Sequence, residues 1–214
     1  LSDQFNQFDS RTTYGAGLTH TVFGNLSFVQ SQLAMGVDYR IDDVKPAGLY
    51  ESIARQRLAT RNEDNFEQRN LGVFVSQQVL PISWVKLTGG LRYDQFDVDL
   101  NGQFDEDEDV TTPNVLRSGS RKDTLLSPKF SANFTPFEHN TELFFSVGRG
   151  FHSNDPRGLF TAAPVDYLVK TRGVEAGVKT TNDAKNLSAS ATLFQLKSNS
   201  ELVFVGDAGT TEPN

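Results

Sequence analysis

The chain has 214 residues, 37% of them hydrophobic and 22% charged, with a net charge of −7 and no cysteine. Without thiols there are no disulfides, zinc–cysteine sites or cysteine nucleophiles. The acidic balance argues against a general nucleic-acid binder, which needs basic patches to displace phosphate counterions. No run approaches the ~18 consecutive apolar residues of a transmembrane helix, whereas a transmembrane barrel stays open because its strands show apolar residues only at alternate positions. No initiator methionine or signal peptide opens the sequence, which reads as a piece of a longer chain.

Taken in order, residues 11–22 place Tyr14, Ala16, Leu18 and Val22 on one face and Gly15, Gly17, Thr19 and Thr21 on the other. That period of two predicts a strand with one apolar and one polar face. Phe23-Gly24-Asn25 reads as a tight turn. Residues 26–40 then alternate Val29, Leu33, Met35, Val37 and Tyr39 against Gln30, Gln32, Asp38 and Arg40. The span 41–64 reads as a long polar insertion, within which 46–61 carries Leu49, Ile53 and Leu58 near one side of a short helix.

Residues 66–79 oppose Leu71, Val73, Val75 and Val79 to Gln68, Asn70, Gly72 and Ser76. A turn over 80–83 follows, with Pro81 where its missing N–H costs no ladder bond. Residues 84–94 set Val85, Leu87, Leu91 and Tyr93 against Lys86, Thr88, Arg92 and Asp94. Trp84 at a turn and Tyr14, Tyr39 and Tyr93 at the far ends suit aromatic girdles at two membrane interfaces, though tyrosine also favours any strand. The span 97–123 reads as a second long loop, with five acidic residues in a row from Asp105 to Asp109.

Three more alternating segments lie between 126 and 181. Leu126, Phe130, Ala132 and Phe134 form the first apolar set, Leu143, Phe145 and Val147 the second, and Val174, Ala176 and Val178 the third. A short break at 138–140 separates the first two; a loop over 152–167 separates the last two. A turn at 181–185 leads into Leu187, Ala189, Ala191 and Leu193, and 207–214 reads as the start of another loop. Short connections at one end and long ones at the other are the layout of a membrane barrel.

Within this region Ser127-Pro128-Lys129, then Leu143 to Phe151 (LFFSVGRGF), then Glu175-Ala176-Gly177-Val178-Lys179 resemble barrel strands of TonB-dependent outer-membrane receptors. That family carries them in this order as S-P-K, a Y-x-S-x-G-x-G-F-like strand and E-x-G-x-K. Its usual Pro-Glu before the last motif is replaced here by Val169-Lys170-Thr171. The resemblance covers roughly residues 11–205. It implies an all-β antiparallel meander, about eight strands of a barrel of about 22, with a plug domain outside this chain. It also implies an outer-membrane location, uptake of a scarce ligand such as a ferric siderophore, TonB as energising partner, contact with outer-membrane lipid and no enzyme activity. Two other readings remain: a self-contained eight-stranded barrel with a structural or adhesion role, and a soluble lipocalin-like carrier with its apolar face inward.

Two groups of residues are candidate sites. Arg149, His152, Asp155 and Arg157 crowd the loop RGFHSNDPR, where arginine forks suit the oxygens of an anionic metal chelate. The plain alternative is that these charges pair with one another. Asp97, Asp99, Asn101, Gln103, Asp105 and Glu108 fit D-x-[DN]-x-[DN]-G-x5-E, with Gly102 at the turn, a spacing that lets a coiled loop hold Ca2+. A solvated acidic surface is the alternative there. His20, His139 and His152 are scattered, and Gly148-Arg149-Gly150 lacks the third glycine and the helix of a dinucleotide site.

Overall fold

A computed structural model describes residues 4–104, 115–137, 140–160, 166–182, 186–199, 202–205 and 210–213. The alternating segments become eight antiparallel strands: β1 (Gln4–Leu26), β2 (Val29–Ile53), β3 (Gln56–Ile82), β4 (Val85–Phe104), β5 (Val115–Phe137), β6 (Thr141–Ser153), β7 (Leu168–Asn182) and β8 (Leu187–Ser198). Each pairs with its sequence neighbours in one sheet of order β1 to β8, curled as half a barrel. β1 and β8 do not pair, so these strands do not close the self-contained eight-stranded barrel. A small separate hairpin pairs β9 (Leu202–Val205) with β10 (Thr210–Pro213), and β10 falls within the span 207–214 that the sequence suggests as a loop.

Registers turn the alternation into rows across the sheet. Leu18, Val37, Val73, Tyr93 and Leu126 are successive partners on one face, and all are exposed. Two rows up, the same face carries Tyr14, Ile41, Arg69, Asp97 and Lys122. The face thus changes from apolar to charged within about 13 Å along the strands, as it must where hydrocarbon gives way to headgroups and water. The opposite face is polar and crowded: Asp42, Asp64 and Asp94 are buried there beside Val44 and Val98. Crowding on one face and exposure on the other are what curvature does to a sheet, so the polar face lines the interior. This removes the lipocalin-like arrangement.

Three local expectations are corrected. Residues 41–64 hold neither a polar insertion nor a helix, for β2 and β3 run on as one long hairpin of 25 and 27 residues. It turns at Ala54 (φ 49°) and Arg55 (φ 68°), the two left-handed positions of a type I′ turn. The first turn is at 27–28 rather than 23–25, with Ser27 at φ 58°. Residues 97–104 and 115–123 extend β4 and β5 instead of forming loop. Ladder pairing outweighs local pattern in all three, because each paired residue satisfies its backbone groups on a neighbouring strand.

Candidate ligand site at the mouth of the barrel

The β5–β6 ladder ends at Lys129 opposite Gly148, while β6 and β7 stay paired as far as Ser153 opposite Leu168. Pro128, the first residue past that last pair, has no N–H to offer β6. Beyond this fork the β6–β7 hairpin leaves the wall and folds over the interior. Phe151 shares a hairpin face with Val147, yet its ring packs edge-on against Phe96 of the interior face of β4.

The connection between β6 and β7 completes this cover. Asn154 donates its backbone N–H to the Tyr167 carbonyl at 2.8 Å and its side-chain amide to the Asp166 carbonyl at 2.7 Å, closing the base. A 3-10 turn over Pro156–Phe160 follows, with Pro156 and Leu159 buried. Leu159, Tyr167 and Leu168 join Phe96 and Val98 in one apolar cluster, and Phe160 also packs on a second made of Val44, Ala47, Phe66 and Leu100. Gly119 admits the Phe160 ring, since a Cβ there would lie 2.2 Å from a ring carbon. Burial pushes the Tyr167 phenol well above its ordinary pKa.

Of the four loop residues singled out by the sequence, Asp155 and Arg157 bind each other. The Arg157 Nε donates to Asp155 Oδ1 at 2.9 Å and Oδ2 at 3.1 Å, and its backbone N–H donates to Oδ1 at 2.9 Å. Burial pushes the Asp155 carboxyl up, but the hydrogen bonds, charge and backbone amide of Arg157 outweigh it and hold the pKa below the usual value. Their pairing is the plain alternative, realised. His152 stands on β6 opposite Val169. Arg149 is exposed, opposite Arg172, and has no ion pair among the described residues.

The calcium pattern meets a different geometry. Asp97, Asp99, Asn101 and Gln103 lie at alternate positions of the extended strand β4, opposite Lys122, Ser120, Ser118 and Leu116. They share the outward face and do not coil around a point; Asp97 approaches Lys122 at 3.8 Å and Asp99 approaches Arg69 at 3.6 Å. Asp105 and Glu108 lie outside the described residues. Among the described residues no group of three or more His, Asp or Glu gathers to hold a metal ion.

Sequence reasoning placed Asp38, Arg92 and Asp94 on the polar face but not their pairing. Arg92 donates to both Asp94 oxygens and, at 2.7 Å, to Asp38 two strands away, crossing where Gly72 has no side chain. Arg117 holds the fully buried Asp64 and also donates to Asn62 at 3.0 Å. Alternation gave the face of each residue; which charge meets which depends on register across three strands.

The sequence profile described as TonB dependent receptor-like, beta-barrel matches residues 1–214. The chain belongs to the TonB-dependent receptor β-barrel family. Solved receptors of the same fold include the ferric-catecholate import receptor Fiu of E. coli K12 in its closed form, at TM-score 0.73 and 15% identity, covering 96% of this chain and 34% of that one. The siderophore receptor PiuA of Acinetobacter baumannii aligns at TM-score 0.67 and 12% identity, over 88% and 32% of the two chains. The ferric yersiniabactin uptake receptor FyuA of Yersinia pestis aligns at 0.65 and 12%, over 90% and 29%. At such identities the likeness is one of fold, and the chain spans about a third of the length of these receptors. Comparison with curated protein sequences finds no significant match. Barrels of this TonB-dependent receptor family are outer-membrane proteins, and the family and its structural neighbours are receptors and transporters, not enzymes.

Proposed function

We propose that this half-barrel is part of an outer-membrane receptor for TonB-energised uptake of a scarce ligand such as a ferric siderophore. The observation that supports the reading is the β6–β7 connection, whose Leu159, Tyr167 and Leu168 fold onto the interior face of β4 beside the Asp155–Arg157 pair. A ligand entering from outside meets this cover before the rest of the interior. Arg149, exposed and without an ion pair among the described residues, is the best placed of the four loop residues to meet an anionic chelate. The Asp155–Arg157 pair shapes the loop around it. A plug domain outside this chain fills the lumen and carries the contact with the TonB complex.

Uptake of a panel of radiolabelled ferric siderophores by cells carrying the full receptor tests this. At least one should accumulate, and accumulation should vanish when the receptor gene or the TonB complex is deleted. Equal uptake of the whole panel with and without the receptor would overturn the reading.

A further inference from the structure

The outward face continues onto the last three strands of the sheet. Phe130 of that face pairs with Val147, Val147 with Val174, and Val174 with Gln195. Below this row Phe145, Ala176 and Leu193 are likewise successive partners, an apolar row. Two residues above it, about 7 Å along the strands, Arg172 of β7 stands directly opposite Lys197 of β8. Lys170 follows Arg172 on the same face of β7. All three cations are exposed, and none has an ion pair among the described residues. Arg149, the partner of Arg172 on β6, borders the fork cavity of about 440 Å³ with Phe74 and Arg92 and belongs with the mouth.

Elsewhere on this face the cations at the upper limit of the apolar rows are matched. Arg69 lies against Glu67 and Asp99, and Lys122 against Asp97. On β6, β7 and β8 the outward positions hold no Asp or Glu. Like charges in direct opposition destabilise a sheet, so Arg172 and Lys197 call for an anion that the described residues do not supply. That anion lies outside the wall, at the height where the apolar rows end. A lipid phosphate is held at that height by its own acyl chains, and long basic side chains reach it from a hydrocarbon boundary.

We propose that Arg172, Lys197 and Lys170 form a binding site for the phosphate of a membrane lipid headgroup, whose acyl chains lie along the apolar rows below. The guanidinium of Arg172 takes two phosphate oxygens as a fork, and the two ammonium groups add point charges. The site rests on this face meeting lipid and not on what the receptor imports, so the two can fail separately.

The test is native mass spectrometry of the full-length receptor in detergent, titrated with phosphatidic acid and with phosphatidylcholine of the same acyl chains. Phosphatidic acid should bind at least about tenfold more tightly, since each cation near an anionic headgroup contributes about fivefold. Arg172→Gln and Lys197→Gln should each narrow that margin by about fivefold, and Arg172→Lys should keep most of it. Arg69→Gln and Lys122→Gln, which remove matched cations of the same face, should behave as wild type. Every variant should bind phosphatidylcholine as wild type does. Equal binding of the two lipids by the wild type, as expected if the row docks a protein instead, would overturn the site. So would an equal loss in Arg69→Gln, or displacement of phosphatidic acid by inorganic phosphate at the same concentration, which would assign the row to a free anion.

Discussion

Phe151 and Phe96 meet edge to face, ring centroids 5.4 Å apart and planes at 84°, although the alternation assigns them to opposite faces of the sheet. The contact exists because the β6–β7 hairpin departs from β5 above Lys129 and swings over the interior, so that its outward side chains land on the inward side chains of β4. An edge-on aromatic pair adds about 0.5–1.5 kcal/mol to the area it buries. Replacing Phe151 by Ala should therefore free the hairpin top and raise hydrogen exchange at Tyr167, Leu168 and Val169, leaving β1 to β4 unchanged. Unaltered exchange in those amides would mean that the hairpin is held elsewhere.

Gly119 offers a sharper test of the same cover. A methyl there would lie 2.2 Å from the Phe160 ring, so Gly119→Ala must displace the ring from between the two apolar clusters. Overpacking of this kind costs about 1–3 kcal/mol. Tryptic cleavage after Arg157 should speed up in the folded receptor, and cleavage at the wild-type rate would show that Phe160 does not pin the loop.

Asp64 is fully buried and Arg117 nearly so. The carboxylate fits only because Gly102 lacks a Cβ, which would stand 1.9 Å from Asp64 Oδ1. Arg117→Met leaves that charge buried without its cation and should cost about 3–5 kcal/mol in urea unfolding of the full receptor in bilayers. The double variant Asp64→Leu, Arg117→Met should recover most of the loss. A double variant as unstable as the single one would argue that shape, not charge, holds the site.

The outward face predicts a depth series. Leu71, Val73 and Val75 lie one, two and three rows below the charged row of Arg69. Arginine on a lipid face costs about 2–4 kcal/mol at the midplane and about 0–1 near an interface. Leu71→Arg should thus be mildest, Val73→Arg intermediate and Val75→Arg the worst, with Gln68→Arg on the interior face far milder than Val75→Arg. Equal costs for all four in a bilayer-based unfolding titration would remove the lipid assignment.

Asp155 sets the pH response of the loop. Its folded pKa is lowered, so the pairing with Arg157 stabilises the loop fully above the ordinary carboxylate pKa of about 3.9 and is lost as pH falls through the lower folded value. Exchange of the Arg157 and Gly158 amides should stay flat, after correction for intrinsic rates, from about pH 5 to 8 and rise only in stronger acid. A transition near neutral pH would point to another group.

Alternation alone determined that this protein is a strand meander and which side chains share a face. A pleated strand points successive residues to opposite sides whatever it pairs with. The common face of Val37, Val73 and Tyr93 with their apolar neighbours was legible for that reason, as was the Asp155–Arg157 pairing as an alternative, since the two residues are close in sequence. Strand length was not legible. Ala54 and Arg55 occupy turn positions that Asn-Gly would have announced, and Leu49, Ile53 and Leu58 imitate a helical spacing that the β2–β3 ladder overrides. Asp97 to Gln103 likewise match a coiled calcium loop by residue type while standing extended on β4.

Only the tertiary structure decided where β6 leaves β5, and so that Phe151 reaches Phe96 and that Ser127, Lys129 and Arg149 border one cavity. Pro128 marks the place in the sequence, but a missing N–H says that a ladder bond is absent and not where the freed hairpin goes. That is settled by the apolar side chains of β4, which find cover only when Leu159, Tyr167 and Leu168 fold back upon them.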